Sequence, residues 1–311
     1  MSTRAILFPG QGAQFVGMSA ALIERCPETR AMFDAASRLL DLDLWQVTTS
    51  GPEELLNSTA VSQPAIFVVS LAVVRAIERA GGTPRLAAAA VAGLSLGEYS
   101  ALVYAGAIDF EIALEVVVQR GRFMQEACDR TPGGMTSLIG LERAQVQALV
   151  EEVRELGVIA VANVNADNQI VVSGERAPLD RIATLAPERG AKRVVPLKVA
   201  GAYHSPLMSS ASSQLRPFLE RAQIRPPRLP FYQNVTAQPE TRPEQIRAGL
   251  LKQIEAPVLW APTLKAMLAT GVTDFLEVGP GRVLAGLAKQ IDKRLPVTSL
   301  LSAESVAEFL A

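Results

Sequence analysis

Three apolar segments of this chain end in glycine turns and run on into helical patterns. That repeat constrains the fold more than any other feature. Ala5-Ile6-Leu7-Phe8 leads to Pro9-Gly10-Gln11-Gly12, Ala87 to Ala92 leads to Gly93-Leu94-Ser95-Leu96-Gly97, and Thr273 to Val278 leads to Gly279-Pro280-Gly281. Helical patterns follow at Met18–Arg25, Leu96–Tyr104 and Arg282–Gln290. Parallel strands must be joined by covering crossovers, so strand, glycine turn and helix in repetition predict an α/β fold with a parallel sheet. Sites in such sheets lie outside the carboxyl ends of the strands, which is where these glycine turns fall.

The stretch from Met135 to Val199 follows another plan. Strands are expected at Met135–Leu141, Val158–Asn163, Gln169–Ser173 and Arg193–Val199, with helices at Ala144–Leu156 and Pro178–Glu188. The order β-α-β-β-α-β is that of a ferredoxin-like unit. The predicted organisation is therefore a larger, hydrolase-like α/β core, residues 1–131 and 200–311, with a small ferredoxin-like (βαββαβ) subdomain inserted at 132–199. No internal repeat or low-complexity tract is present.

Composition narrows the function. Apolar residues make up 49% of the 311 and aromatics only 5%, so the core is built from Ala, Val, Leu and Ile. Thirty basic and 31 acidic residues leave a net charge of −1. That excludes a basic nucleic-acid footprint and a polybasic membrane patch. Cys26 and Cys128 have no metal-ligand spacing and read as free thiols of a cytoplasmic protein. Met1-Ser2-Thr3-Arg4 runs directly into a strand, so no signal peptide is expected. Leu55 to Val74 carries no charge but holds Asn57, Ser58, Gln63 and Pro64. It reads as a buried helix beginning near Pro64 rather than a membrane span.

Gly93-Leu94-Ser95-Leu96-Gly97 has the strand–turn–helix context of a nucleophile elbow. Ser95 then sits at a helix start, where free N–H groups favour developing negative charge, and the Leu96 N–H is the natural first oxyanion donor. A serine hydroxyl needs a base, and the chain contains one histidine, His204. Ser205-Pro206 after it read as N-cap and first position of a helix, kinked or ended at Pro217. The positive end of that helix is expected to keep the imidazole neutral. Gly10-Gln11-Gly12 matches neither a dinucleotide fingerprint nor a phosphate loop. It is either a tight strand–helix turn or a place where the Gln11 N–H meets a ligand as second oxyanion donor. Arg120 falls on the apolar stripe Ile112, Val116, Phe123, Ala127 of a helix from about Asp109 to Ala127. A guanidinium there needs an anion, either an internal acid or a substrate carboxylate. No acid is placed as a third triad member, so the pair reads as a dyad.

Taken in order, Phe8 through Gln14, Ser62-Gln63-Pro64-Ala65, Gly93 through Ser100, Gln119-Arg120-Gly121, Ala162 through Asn165, Ala202 through Met208 and Glu277 through Gly281 resemble the malonyl-CoA:acyl-carrier-protein transacylase family over nearly the whole chain. The resemblance implies an acyltransferase of fatty acid biosynthesis, an [acyl-carrier-protein] S-malonyltransferase, that moves malonyl from malonyl-CoA to the phosphopantetheine thiol of acyl carrier protein through a seryl ester. Catalytic Ser95 and His204 are implied, with an oxyanion hole from Gln11 and Leu96. Arg120 would hold the malonyl carboxylate, with Gln63 and Tyr203 in the same cleft. The backbone carbonyl of Gln253 would orient the histidine in place of an acid. No cofactor or metal is implied, and a monomer is expected.

Three positions depart from the usual pattern: Leu94 where many members carry His, Ala256 where Asn is common, and Tyr203 where Phe is usual. The bulk of Tyr203 favours malonyl over a branched unit. Other readings are a free-standing acyltransferase of a polyketide-type synthase, a serine hydrolase or thioesterase, and a non-enzymatic carrier-protein binder. Arg120 separates the malonyl transferase from a simple esterase, and the complete dyad disfavours the binder.

Overall fold

A computed structural model describes residues 3–20, 22, 26–301 and 303–311. Ten strands occur among them: β1 Arg4–Phe8, β2 Ala90–Gly93, β3 Gly133–Ile139, β4 Ile159–Ala166, β5 Gln169–Glu175, β6 Arg193–Pro196, β7 Phe231–Tyr232, β8 Pro239–Glu240, β9 Asp274–Val278 and β10 Val297–Leu300. They form a six-stranded sheet, β10-β9-β1-β2-β7-β8, and a four-stranded sheet, β4-β5-β3-β6. In the first, all pairings are parallel except that of the edge strand β8 with β7. The protein is thus α/β with a mixed, mainly parallel sheet. β8 departs from the expected all-parallel sheet because it returns from β7 through a tight turn, which only antiparallel strands can do.

Both faces of the larger sheet are covered, as its unbroken apolar strands require. Ile6, Phe8, Val91 and Leu276 face the helices Thr59–Arg79, Gly97–Tyr104 and Phe110–Arg130. Ala5, Leu7, Ala92 and Phe275 face the helices Trp260–Ala269 and Val283–Ile291. The strand period of two assigns alternate residues to the two layers. All three expected strand–turn–helix junctions are present, apart from the first helix: residues 21 and 23–25 of the expected Met18–Arg25 lie outside the described residues.

The smaller sheet is antiparallel throughout. It follows the chain order β3, helix Arg143–Val153, β4, β5, helix Arg176–Glu188, β6. Leu138, Ile170 and Val172 pack there against Val146, Leu149, Ile182 and Leu185. Strand β4 also meets the segment before Trp260: Val164 N–H donates to Val258 O at 2.9 Å and Val258 N–H to Ala162 O at 2.8 Å.

The buried helix expected near Pro64 begins at Thr59, after Ser58 in an extended conformation. Pro64 falls in its second turn, where its ring costs one backbone hydrogen bond near the helix start. This helix is long and apolar enough to cross a membrane, but 83% of its apolar window is buried within the protein. The expected helix from Pro206 is a single 3-10 turn, Pro206–Met208, followed by a helix over Ser209–Arg221 that contains Pro217.

Candidate active site

Strand β2 ends at Gly93, and the helix after it begins at Gly97. Between them Ser95 adopts φ 52°, in the left-handed region. The two glycines permit the sharp turn. A Cβ on Gly93 would lie 1.9 Å from the Gly97 carbonyl carbon, and one on Gly97 would lie 2.2 Å from Phe8 O. Any side chain at either position would drive the elbow off the sheet.

The elbow brings Ser95 to the histidine. Ser95 Oγ lies 2.9 Å from His204 Nε2. His204 Nδ1 lies 2.7 Å from the backbone oxygen of Gln253. A carbonyl can only accept, so Nδ1 carries the proton and Nε2 is left to accept from the serine hydroxyl. Gln253 is the last residue of the helix Pro243–Gln253. Its carbonyl is one of the last four, which lack an intrahelical donor and are free for an outside one. A helix-end carbonyl here stands where a triad has a carboxylate.

His204 is 4% exposed. Burial and then the Arg120 charge push its imidazole down to about 4, against the pull of backbone hydrogen bonds from Gln253 and Ala256. The expected neutrality therefore holds, but its cause is corrected. Ser205 does cap the following turn, accepting from Leu207 N–H at 3.3 Å. That 3-10 turn leads directly into the helix Ser209–Arg221, but burial and the Arg120 charge are the leading causes of the low basicity.

Arg120 is 1% exposed on the helix Phe110–Arg130. Its Nη1 donates to Gln63 Oε1 at 2.5 Å. Its Nη2 donates to Ser95 Oγ at 3.0 Å and to Gln253 Oε1 at 2.9 Å. All three acceptors are neutral. Among the described residues Arg120 forms no ion pair. The internal acid that sequence reasoning left open is not a direct partner.

Tyr203 hydroxyl meets Thr59 Oγ1, and Gln11 Nε2 donates to that hydroxyl at 3.3 Å. Backbone N–H groups of Gln11 and Leu96 make no hydrogen bond within the described residues. Ser95, His204, Gln11 and Tyr203 share a cleft of about 710 Å³ with Asn163 and Asn165 of β4 and Met135 of β3. The cleft thus opens between the two sheets.

Two site residues escaped the sequence reading. Asn234, just beyond β7, accepts from Ser95 N–H at 2.6 Å and donates to Gly93 O at 2.7 Å. Glu98 is buried in the first turn of the elbow helix and accepts from Asn234 N–H at 2.5 Å. Burial pushes its carboxyl up to about 8, against the opposing pull of Asn234, Gln253 and Arg120. The only local signal for Glu98 was one acid in an otherwise apolar turn. For Asn234 it was a polar pair, Gln233-Asn234, directly after a short apolar strand.

Residues 6–305 match the acyl transferase domain family. The malonyl CoA-acyl carrier protein transacylase of Escherichia coli K12 is 40% identical over 310 residues, covering 100% of this chain and 99% of that protein. Its counterpart in Bacillus subtilis 168 is 38% identical over 307 residues, covering 98% and 96%. Among solved structures, an acyl carrier protein S-malonyltransferase of Vibrio cholerae superposes with a TM-score of 0.92 at 38% identity, over 99% of each chain. The malonyl-transacylase PlMCAT, solved with the type II PKS acyl-carrier protein AntF, gives 0.93 at 38% identity, over 99% of each chain. With the elbow and the lone histidine in one cleft, the buried arginine bonded to the elbow serine just beneath its lining, and relatives aligned from end to end, the chain belongs to the malonyl CoA-acyl carrier protein transacylase family of acyl transferases.

Proposed function

We propose that this chain transfers the malonyl group of malonyl-CoA to the phosphopantetheine thiol of an acyl carrier protein, through an ester on Ser95. The observation that carries this reading is Arg120, a buried cation that donates only to neutral oxygens and touches the nucleophile itself. A buried guanidinium without a carboxylate partner is a site for one, and malonate brings a free carboxylate next to its thioester. Acetate brings none, and a simple esterase has no use for the group.

In the first half-reaction Ser95 Oγ attacks the thioester carbon while its proton passes to His204 Nε2. The carbonyl oxygen becomes an oxyanion, received by the N–H groups of Gln11 and Leu96. As the oxyanion collapses, the C–S bond breaks and His204 returns the proton to the CoA sulfur. In the second half-reaction the carrier thiol gives its proton to His204 and attacks the seryl ester. The C–O bond breaks and Ser95 Oγ recovers a proton from His204. Gln253 holds the imidazole in the required tautomer throughout, Gln63 supports Arg120, and Tyr203 borders the acyl site.

The chain is read as a larger core, 1–131 and 200–311, carrying a ferredoxin-like subdomain at 132–199. The strand order β4-β5-β3-β6 supports that division. A cytoplasmic monomer in fatty acid biosynthesis is the setting proposed. The similarity to a transacylase solved with a type II PKS carrier favours a polyketide carrier as the second reading.

Brief incubation with malonyl-CoA should add one malonyl mass to the intact protein, located on Ser95 by peptide mapping. No adduct, or an equal adduct from acetyl-CoA, would refute the malonyl assignment.

A further inference from the structure

Two acids lie buried among the described residues, Glu98 and Glu277. Glu277 accepts from Leu284 and Ala285 N–H at 2.8 and 3.1 Å and so caps the helix Val283–Ile291. Glu98 caps nothing, and its contacts lead into the active site.

We infer that Glu98 is a positioning residue that fixes the direction of the Gln253 side-chain amide and, through that amide, aims Arg120 at the carboxylate of the acyl group. The inference rests on the acyltransferase reading above.

Three bonds converge on the Gln253 amide. Its Oε1 accepts from Arg120 Nη2 at 2.9 Å. Its Nε2 donates to Ser95 O at 2.9 Å and to Glu98 Oε2. A guanidinium can only donate, a backbone carbonyl can only accept, and both Glu98 oxygens accept from N–H donors here. Only one orientation of the amide satisfies all three. Flipped, it would set an NH2 group against Arg120 and an oxygen against two acceptors. Glu98 is itself fixed, because its other oxygen takes Asn234 N–H at 2.5 Å.

The arrangement also handles charge. A carboxylate bonded directly to Arg120 would occupy the fork that the substrate needs. With an amide between them, the acid polarises the Arg120 partner from behind and leaves the guanidinium with neutral partners only. Gln253 joins this to the histidine, since its backbone oxygen holds His204 Nδ1. Side chain and backbone of one residue therefore serve the two halves of the site. Only the side-chain half depends on Glu98.

The test is Glu98→Gln, read as the rate of Ser95 acylation from malonyl-CoA and from acetyl-CoA by quenched intact-protein mass spectrometry. Asn234 N–H keeps the oxygen of the new amide, so its NH2 faces Gln253 Nε2. Unflipped, the two donors repel and push the Gln253 amide off its line to Arg120; flipped, the Gln253 NH2 faces the guanidinium. The malonyl-to-acetyl rate ratio should fall about 10-fold or more, mainly through the malonyl KM, while acetyl acylation changes by less than about 3-fold. A parallel loss with both donors, or no change, overturns the inference. Gln253→Met removes the amide but keeps the backbone oxygen for His204. It should lower the same ratio, and adding Glu98→Gln to it should lower the ratio no further. An additive double variant, or a Gln253→Met protein that keeps its malonyl preference, overturns it even if Glu98→Gln alone fails to fold. Arg120→Ala separates the two levels of argument. If Arg120→Ala leaves the ratio unchanged, the Arg120 reading itself fails. If it abolishes the preference and Glu98→Gln does not, only the role of Glu98 fails.

Discussion

The low basicity of His204 should be visible as a pH dependence of stability. The imidazole sits at about 4 in the folded protein, against an ordinary value of 6.5. Below about pH 6.5 the unfolded chain binds a proton here that the folded chain refuses. The unfolded state then holds more protons, so this group makes stability rise with pH between about 4 and 6.5. Its contribution is fully present above 6.5 and is lost as pH falls toward 4. At about 1.4 kcal/mol for each pH unit of separation, the full effect is about 3 kcal/mol, and between pH 7 and pH 5 it is about 2 kcal/mol. Carboxylates titrate nearby, so the variant His204→Asn supplies the reference. Asparagine tolerates the φ of 57° found at this position, and its amide can still donate to Gln253 O. Urea unfolding at both pH values should show wild type losing about 2 kcal/mol more than His204→Asn. Because the chain has a single histidine, no other imidazole can produce that difference. The acid limb of kcat/KM for Ser95 acylation should likewise fall near pH 4. Equal losses in the two proteins, with an acid limb near 6.5, would refute the claim that burial and Arg120 keep this base neutral.

Tyr203→Phe removes the hydroxyl that joins Thr59 to Gln11. Acylation should slow by about 3- to 10-fold at unchanged KM, since the loop bearing a proposed oxyanion donor keeps only the longer Gln11 Nε2–Thr59 Oγ1 contact at 3.5 Å; rapid-quench kinetics showing a normal rate would confine Tyr203 to packing. Gly97→Ala would place a Cβ 2.2 Å from Phe8 O, a backbone atom fixed within the sheet. It should destabilise the protein by about 3 kcal/mol or more, and a denaturation midpoint costing under about 1 kcal/mol would contradict the close-packed elbow.

The parallel core was legible because its signals are local: an apolar run, a glycine turn and a helical period fall within about 20 residues each. Element ends were less so. Strand β4 was expected to stop at Asn163 but runs to Ala166, because register shifts at Val161/Asn163 and Val164/Ala166 break the alternation that would have shown its length. Arg120 could be read as buried from its helical stripe. Its neutral partners could not, since Gln63 and Gln253 lie 57 and 133 positions away. Distance along the chain also hid Asn234 and Glu98, which meet across 136 positions. The cause of the histidine's neutrality was misread for the same reason. A local signal, Ser-Pro after the histidine, suggested a helix dipole, whereas the dominant causes are burial and a charge brought from another helix.

Ser95 and His204 both sit at positive φ without being glycine, at 52° and 57°. Such conformations cost about 1–3 kcal/mol each and persist only where the surroundings over-determine them. At Ser95 the determinants are plain. Asn234 Oδ1 takes its N–H, and Gln253 Nε2 donates to its carbonyl oxygen. Both backbone groups of the nucleophile are thus claimed by side chains from segments more than 130 residues away. The Gly-x-Ser-x-Gly sequence permits the elbow, but the folded core selects it. The same Gln253 orients His204 by its backbone oxygen and Arg120 by its side chain. The proposed nucleophile, base and carboxylate-binding group therefore all meet one residue at one helix end. Within this dyad, the place of a third catalytic acid is filled by a helix terminus, with Glu98 holding its side chain from behind.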